Sequence, residues 1–334
     1  MRPVLAPAAR RHWRDPQTLQ LGCGPVDAVV LEGLGPDRRL VLPLLDGTRT
    51  REEVLLAAQQ QGCADTEQVL STLEQAGLIL DADALHPVGL ERGERDRLAP
   101  DLAALSLTRG GGASQALLGR RQARVLVQGA GRVGAALATL LGAAGVGTVD
   151  VRDPTPVRTS DTGPGGLDPD EVGRRRDEVL MRRLRTVGSH RHPDLVVLTE
   201  DDAEGTGAVL VRDGTPHLLA RVQERLGVVG PLVLPGSSPC LTCLDLVRSA
   251  IDPQWPVLAA QRDHPRPGPV ACDTVLAAAV ASQAALQVLQ LLEGDTPASV
   301  GGTLELHTPG WRWRRRTWPK HPGCPCAWAR AQSA

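Results

Sequence analysis

The chain has 334 residues, with 37 Lys and Arg against 38 Asp and Glu and a formal net charge of −1. That balance, at 22% charged and 42% apolar residues, excludes a disordered tail or a nucleic-acid coat and fits one large or two ordinary globular domains. Phe, Tyr and Asn are absent and Lys320 is the sole lysine, so the core must be built from Leu, Val, Ala and a few Trp. The missing residue types share A/T-rich codons, so Arg in place of Lys, or Asp in place of Asn, can be drift without loss of chemistry.

Met1 to Trp13 carry arginines and prolines and no apolar export core. The longest apolar stretch, Val275 to Leu292, is interrupted by Ser282, Gln283, Gln287 and Gln290, so no membrane span is expected and the protein reads as cytoplasmic. Seven cysteines, an odd number, argue against a disulfide framework.

Residues 1–85 read as a small α+β unit. Val26 to Leu34 and Arg39 to Leu44 are expected as strands about a Gly-Pro-Asp turn. Thr50-Arg51-Glu52-Glu53 is a capping box that opens a helix through Gln61. Asp65 is expected to cap a second helix with Val69, Leu70, Leu73 and Ala76 on one face; Gly77 ends it and Leu78-Ile79-Leu80 is a strand. This order predicts a winged-helix-like domain. The second helix bears Asp65, Glu67 and Glu74 and no cation, so it would repel phosphates, and nucleic acid is not expected as a partner. Binding of a peptide as an added strand at the edge of the small sheet fits better; a structural appendage without ligand is the alternative. Residues 86–120, with the charged run Glu91 to Arg97 and Arg109-Gly110-Gly111-Gly112, are expected as a linker.

From residue 121 to 334 the pattern becomes α/β. Val125-Leu126-Val127-Gln128 is a buried strand leading into Gly129-Ala130-Gly131-Arg132-Val133-Gly134 and an Ala/Leu-rich helix. Glycines there let the backbone approach a phosphate, and the helix N-terminus offers free N–H groups. The next strand ends at Asp153, where an acid can bind a ribose hydroxyl. The cofactor-binding candidates are thus Gly129, Gly131, Gly134 and Asp153, in a Rossmann-like doubly wound sheet; the pattern does not choose between NAD and ATP, and an empty fold is the alternative.

Cys240-Leu241-Thr242-Cys243 and Cys324-Pro325-Cys326 are two tight knuckles whose four thiolates suit a closed tetrahedral zinc site, with a redox Cys-x-x-Cys as the rival reading. His321 is expected as a neighbour and not a ligand. Cys272 precedes Asp273, the expected cap of a helix Thr274 to Leu292; a small packing residue is preferred over a reactive thiol. Trp311-Arg312-Trp313-Arg314-Arg315-Arg316 alternates as an edge strand whose Trp side chains pack near the zinc site, the alternative being a basic, aromatic surface for RNA or an acidic partner.

The glycine loop, Asp153, Ala144-Gly145-Val146-Gly147, the stretch Gly230 to Gly236 and the cysteine knuckles together resemble the ThiF/MoeB-type adenylyltransferases, relatives of the ubiquitin-activating enzymes, over Ala123 to Trp328. The resemblance implies ATP with Mg²⁺ as cofactors, a structural zinc, a homodimer, and activation of a C-terminal carboxylate. The family's Mg²⁺-binding Asp falls on Asp201 and its lysine on Arg176, which keeps the charge with different geometry; both are catalytic candidates. Its phosphate-binding arginine falls on Pro164 in Ser160-Asp161-Thr162-Gly163-Pro164-Gly165, a loss worth about 10²-fold or more in rate. The solvated-face reading of Arg174 to Arg176 stays open.

The N-terminal unit, with Leu45-Asp46-Gly47-Thr48-Arg49-Thr50, Asp252-Pro253-Gln254-Trp255-Pro256 and His321-Pro322-Gly323-Cys324, resembles the leader-peptide-binding cyclodehydratase partner proteins of thiazole/oxazole-modified peptide pathways. That implies a peptide-presenting protein with degenerate adenylation, working beside a YcaO-type enzyme. An active adenylyltransferase is the second reading; a NAD-dependent oxidoreductase is third, since no catalytic His or Lys constellation is visible.

Overall fold

The structure is a computed structural model that describes residues 1–24, 28–82, 85, 89–184, 192–199, 203–262 and 271–327. It divides into two compact units, Met1–Leu118 and Gly119–Ala334.

In the first unit β1 (Pro3–Leu5) is followed by β2 (Arg11–Asp15), β3 (Thr18–Leu21) and β4 (Val29–Leu31), an antiparallel sheet in the order β2-β3-β4. The hairpin between β2 and β3 turns where the Asp15 carboxylate accepts the Gln17 N–H at 2.7 Å. Leu19 and Leu21 alternate into the core with at most 1% exposure, a period-two signal that the sequence reading passed over. Arg39 to Leu44, expected as a strand, lies in the 3-10 helix Arg38–Leu44. Its buried residues Val41, Leu42 and Leu44, with Leu45, have helical and not alternating spacing, and Pro43 could not donate to a ladder.

α1 (Arg51–Gln60) starts at the expected capping box: the Thr50 N–H donates to Glu53 at 2.7 Å and the Glu53 N–H to Thr50 Oγ1 at 3.3 Å. α2 (Thr66–Gln75) buries Val69, Leu70 and Leu73 as expected, but Asp65 makes no capping hydrogen bond. It sits at a φ of +51° and its carboxylate pairs with Arg38 instead. β5 (Ile79–Asp81) pairs antiparallel with β1, with Val4 opposite Leu80.

The segment 86–120, expected as a linker, is largely helical, in α3 (Arg92–Arg109) and α4 (Ala113–Gln122). The charged run hid the apolar spacing of Leu98, Leu102 and Leu105, which puts three leucines on one face against Ala113, Ala116 and Leu117.

The second unit is a seven-stranded mixed sheet. After β6 (Arg124–Gln128) come α5 (Arg132–Ala143), β7 (Thr148–Arg152), α6 (Arg176–Leu184), β8 (Leu195–Leu198), α7 (Ala203–Arg212), β9 (His217–Gln223) and β10 (Leu226–Val233). α8 (Leu241–Ile251), α9 (Trp255–Arg262), α10 (Thr274–Leu292), β11 (Gly302–His307) and β12 (Arg312–Thr317) complete it. The sheet order is β12-β11-β10-β9-β8-β6-β7, parallel from β7 to β9 and antiparallel from β9 to β12. Val125 and Val127 point into the core shared with α5 and α10, while Leu126 faces the cluster around α7. β7 and β8 flank β6 on opposite sides, so the crevice of this doubly wound sheet opens at the carboxyl end of β6.

α10 is long and apolar enough to cross a membrane by length and composition alone. Leu276, Val280, Ala284 and Val288 are fully buried in the sheet's core, the expected place for the central helix of a globular domain. Asp273 caps it as expected, accepting N–H bonds from Val275 at 2.9 Å and Leu276 at 3.0 Å.

Candidate functional site

The glycine loop leaves β6 at Gly129, whose φ of +90° a side chain would strain. Gly131 stands at the N-cap of α5, and a Cβ there would meet nothing within 4 Å. Gly134 differs: a Cβ would lie 2.1 Å from the Gly129 carbonyl oxygen and 2.7 Å from Thr199 Oγ1. Thr199, at the end of β8, holds the loop by donating its hydroxyl to the Gly129 carbonyl at 2.8 Å. One glycine is thus needed for the turn, one leaves open space over the helix end, and one lets helix and strand touch.

Asp153, at the end of β7, is 9% exposed and heavily engaged. Its Oδ2 accepts the loop's Ala130 N–H at 2.8 Å and Arg176 Nη1 at 2.9 Å; its Oδ1 accepts the Thr155 N–H at 3.1 Å and the Thr155 hydroxyl. Burial alone would raise this carboxyl, but the hydrogen bonds from Thr155, Ala130 and Arg176 outweigh it and hold it below the usual carboxylate value. Arg176, the first residue of α6, also donates Nη2 to Asp161 at 2.5 Å. The three side chains are 13%, 9% and 14% exposed, so Arg176 does not lie on a solvated face. Arg174 is exposed, and Arg175 pairs with Asp177 and Glu178.

Asp161 is a site residue the sequence reading missed. Arg132 is another. Its Nε donates to the Ser160 carbonyl at 2.7 Å and its Nη1 to the Cys272 carbonyl at 2.8 Å and Thr274 Oγ1 at 3.1 Å. Arg132, Asp161, Gly163, Pro164 and Thr274 line one small cavity, so a glycine-loop cation stands where the sequence comparison counted one lost at Pro164. Asp201 lies outside the described residues. Burial pushes the Cys272 thiol above its ordinary value despite the nearby Arg132, and Cys272 packs against the core, as the packing reading expects.

The four knuckle cysteines come together. Cys240 is the N-cap of α8 and Cys243 lies in its first turn; Cys324 and Cys326 arrive on the turn after His321. All four are at most 6% exposed, and their sulfurs lie within 4.8 Å of one another. Sγ–Sγ separations are 3.9 Å for Cys240–Cys243, 3.6 Å for Cys240–Cys324 and 3.4 Å for Cys243–Cys326. Two ligands of a tetrahedral ion with metal–sulfur bonds of ~2.3 Å stand ~3.8 Å apart, whereas a disulfide needs ~2.05 Å. The cluster therefore has the size and chemistry to hold a metal ion. His321 turns its Nδ1 to the Gly323 N–H at 3.1 Å, beside the cluster and not in it. Lys320 donates to the Gly236 carbonyl at 2.8 Å and fastens the tail to the loop before the first knuckle.

Trp313 of β12 and Trp311 just before it do not pack beside this cluster as expected. Trp311 and Trp313 are 47% and 38% exposed, because β12 is the last strand of the sheet and all six of its residues face solvent. Among the described residues the buried tryptophan is Trp318, which donates to Thr303 Oγ1 at 2.9 Å.

In the first unit, a groove runs between the edge strand β4 and α2. It is lined by Val30, Leu31, Glu32, Arg38, Val69 and Thr72, among others, and has an apolar floor in Leu31 and Val69.

Residues 111–192 match the ThiF family model. The ThiF match covers the glycine loop, Asp153, Asp161 and Arg176, and the fold extends the likeness to the rest of the chain. E. coli MccB, in a structure titled with MccA-N7isoASN, shares the fold with a TM-score of 0.74 at 15% identity, covering 98% of this chain and 99% of that one. A structure titled MccB with ATP gives 0.74 at 16% identity, with 98% and 100% covered. PaaA gives 0.62 at 16% identity, with 80% and 94% covered. A comparison with curated protein sequences finds no match.

Proposed function

We propose that this protein binds a substrate peptide through its N-terminal unit and presents it to a modifying enzyme, with a ThiF-type second unit of weakened adenylation. The observation that carries the reading is the groove beside β4. It combines an open strand edge for backbone pairing with an apolar floor for alternate side chains, which is what strand addition requires. In this reading the unit is a winged-helix-like recognition domain, the peptide is a leader segment, and a YcaO-type cyclodehydratase is the partner. The protein acts in the cytoplasm as a homodimer, with no nucleic-acid or membrane role. Zinc in the Cys240, Cys243, Cys324 and Cys326 cluster ties the tail to α8 and stabilises the fold.

Weak adenylation is supported by Asp153, whose carboxylate is already filled by Ala130, Thr155 and Arg176, leaving no lone pair for a ribose unless Arg176 moves. A second reading, ATP-dependent adenylation of a peptide's C-terminal carboxylate, draws support from Arg132, which restores a cation beside Pro164, and from MccB, a relative in fold whose structures include one with ATP and one with N-formylated MccA. In it the open backbone at Gly131 admits the phosphates, in a loop that Gly129 turns and Gly134 packs, Asp201 holds Mg²⁺, and Arg176 and Arg132 take up charge on the phosphates.

Two measurements separate these. A short synthetic Cys/Ser/Thr-rich peptide is titrated into the protein, and ATP–pyrophosphate exchange is followed with the same peptide. Binding without exchange supports presentation. Robust exchange, abolished by Asp201→Ala, establishes the adenylyltransferase, and absence of both overturns the two readings together.

A further inference from the structure

The far edge of the large sheet carries a feature that neither a nucleotide nor a metal site uses. β12 is the terminal strand among the described residues, and all six of its residues are exposed. Its register with β11 sorts the side chains. Arg312, Arg314 and Arg316 share a face with His307, Glu305 and Thr303, while Trp313 and Arg315 share the other with Leu306 and Leu304.

The two faces are differently committed. Arg315 is pinned, donating to the Ala298 carbonyl at 2.8 Å, the Val300 carbonyl at 3.2 Å and Thr317 at 2.9 Å. Arg316 stacks 4.2 Å over the Trp318 ring. Arg312 and Arg314 make no hydrogen bond or ion pair among the described residues. Glu305 stands across from Arg314, but its carboxylate accepts the Thr303 hydroxyl at 2.9 Å. One face of an open strand edge therefore presents three arginines at alternate positions, ~6.6 Å apart, and the other an exposed tryptophan. Arginines alone would serve to keep an open edge from pairing with another copy. Trp311 and Trp313, nearly half exposed beside them, work against that purpose and favour an occupant.

The geometry points to β12 as a docking edge for an extended acidic segment of a partner protein, with carboxylates at alternate positions facing Arg312, Arg314 and Arg316 and apolar side chains between them against Trp313. Charge complementarity selects the acidic residues, and the free edge supplies backbone hydrogen bonds in strand register. Those strand-register bonds favour a peptide over RNA, which could use the arginines and tryptophans but not the edge. The surface is separate from the groove beside β4, so its failure leaves the peptide-presentation reading untouched.

The test uses the full-length protein and a fluorescent, short alternating Glu–Val peptide, followed by anisotropy at low salt. Controls are the Lys–Val analogue, a Glu–Val peptide N-methylated at alternate residues, and a short single-stranded RNA. Binding of Glu–Val but not Lys–Val is expected. It should weaken about tenfold or more in Arg312→Glu/Arg314→Glu and fall similarly on N-methylation. The variant should melt with the wild type, since both residues are exposed. Equal binding by the variant, equal binding of the N-methylated peptide, tighter binding of RNA than of the peptide, or no peptide binding would each overturn the proposal.

Discussion

Arg176 spans a buried and a partly buried acid, donating to Asp153 at 2.9 Å and to Asp161 at 2.5 Å, and so joins the start of α6 to the end of β7 and to the turn after it. Removing the guanidinium leaves Asp153 to Ala130 and Thr155, and Asp161 to the Arg158 N–H, with no cation between them. Arg176→Ala is expected to lower stability at neutral pH by about 1.5–3 kcal/mol, with Arg176→Lys recovering part of it as a point charge. Urea unfolding at pH 7 measures the deficit.

The same pair fixes a pH dependence. Asp153 titrates below its ordinary value in the folded state, so its contribution is complete above the unfolded carboxylate value of ~3.9 and is lost as pH falls through the folded one. Without Arg176 burial is less opposed, the folded value rises, and the contribution shrinks. The deficit of Arg176→Ala should therefore narrow as pH falls below about 4 and through the folded Asp153 value. A deficit that stays constant over that window would show that the ion pair is not its source.

The two inner glycines of the loop separate folding from binding. Gly134→Ala places a Cβ against the Gly129 carbonyl at 2.1 Å and should cost about 1–3 kcal/mol or more by forcing helix and strand apart. Gly131→Ala meets nothing and has a φ of −70°, so it should melt with the wild type. If phosphates seat over this helix end, Gly131→Ala should still weaken ATP binding about tenfold in calorimetry. Unchanged affinity in a protein that binds ATP would move the nucleotide elsewhere.

The cysteine cluster predicts one zinc per chain by elemental analysis. Chelation, or Cys243→Ser at the most buried sulfur, should lower the melting temperature by roughly 10 °C or more, at about 2–4 °C per kcal/mol for a unit of this size. Metal-free protein that melts unchanged would make the knuckles a packing feature only.

The parts of this molecule that were legible in the sequence are those where one residue type answers one local requirement. Thr50 and Glu53 announced α1, Asp273 announced α10, and Gly129 to Gly134 marked the strand–loop–helix joint. The cysteine pairs announced their own meeting. What stayed hidden depends on partners distant in sequence. Nothing near Asp161 says that Arg176 will reach it, and nothing near Arg132 says that it will share a cavity with Pro164. The 3-10 run Arg38–Leu44 was misread because a short apolar stretch has no period of its own. Helix α3 was misread because its charges outnumber the leucines that fold it.

The groove beside β4 gives the last prediction, and it follows from which of its walls are free to change. Leu31 and Val69 are core residues, at 6% and 8% exposure, so substituting them would confuse lost binding with lost folding. Gln68 and Thr72 stand on the exposed side of α2, one turn apart on the same wall. Gln68→Trp with Thr72→Trp should fill the space an added strand needs while leaving the packing of Leu70 and Leu73 intact. The melting temperature should stay within a few degrees of wild type, consistent with surface substitutions costing about 0.5 kcal/mol or less. Affinity for the peptide should fall by about 10²-fold, because both the backbone pairing and the apolar floor become inaccessible. A doubly substituted protein that binds the peptide as tightly as the wild type would place recognition outside this groove, whatever the second unit does with ATP.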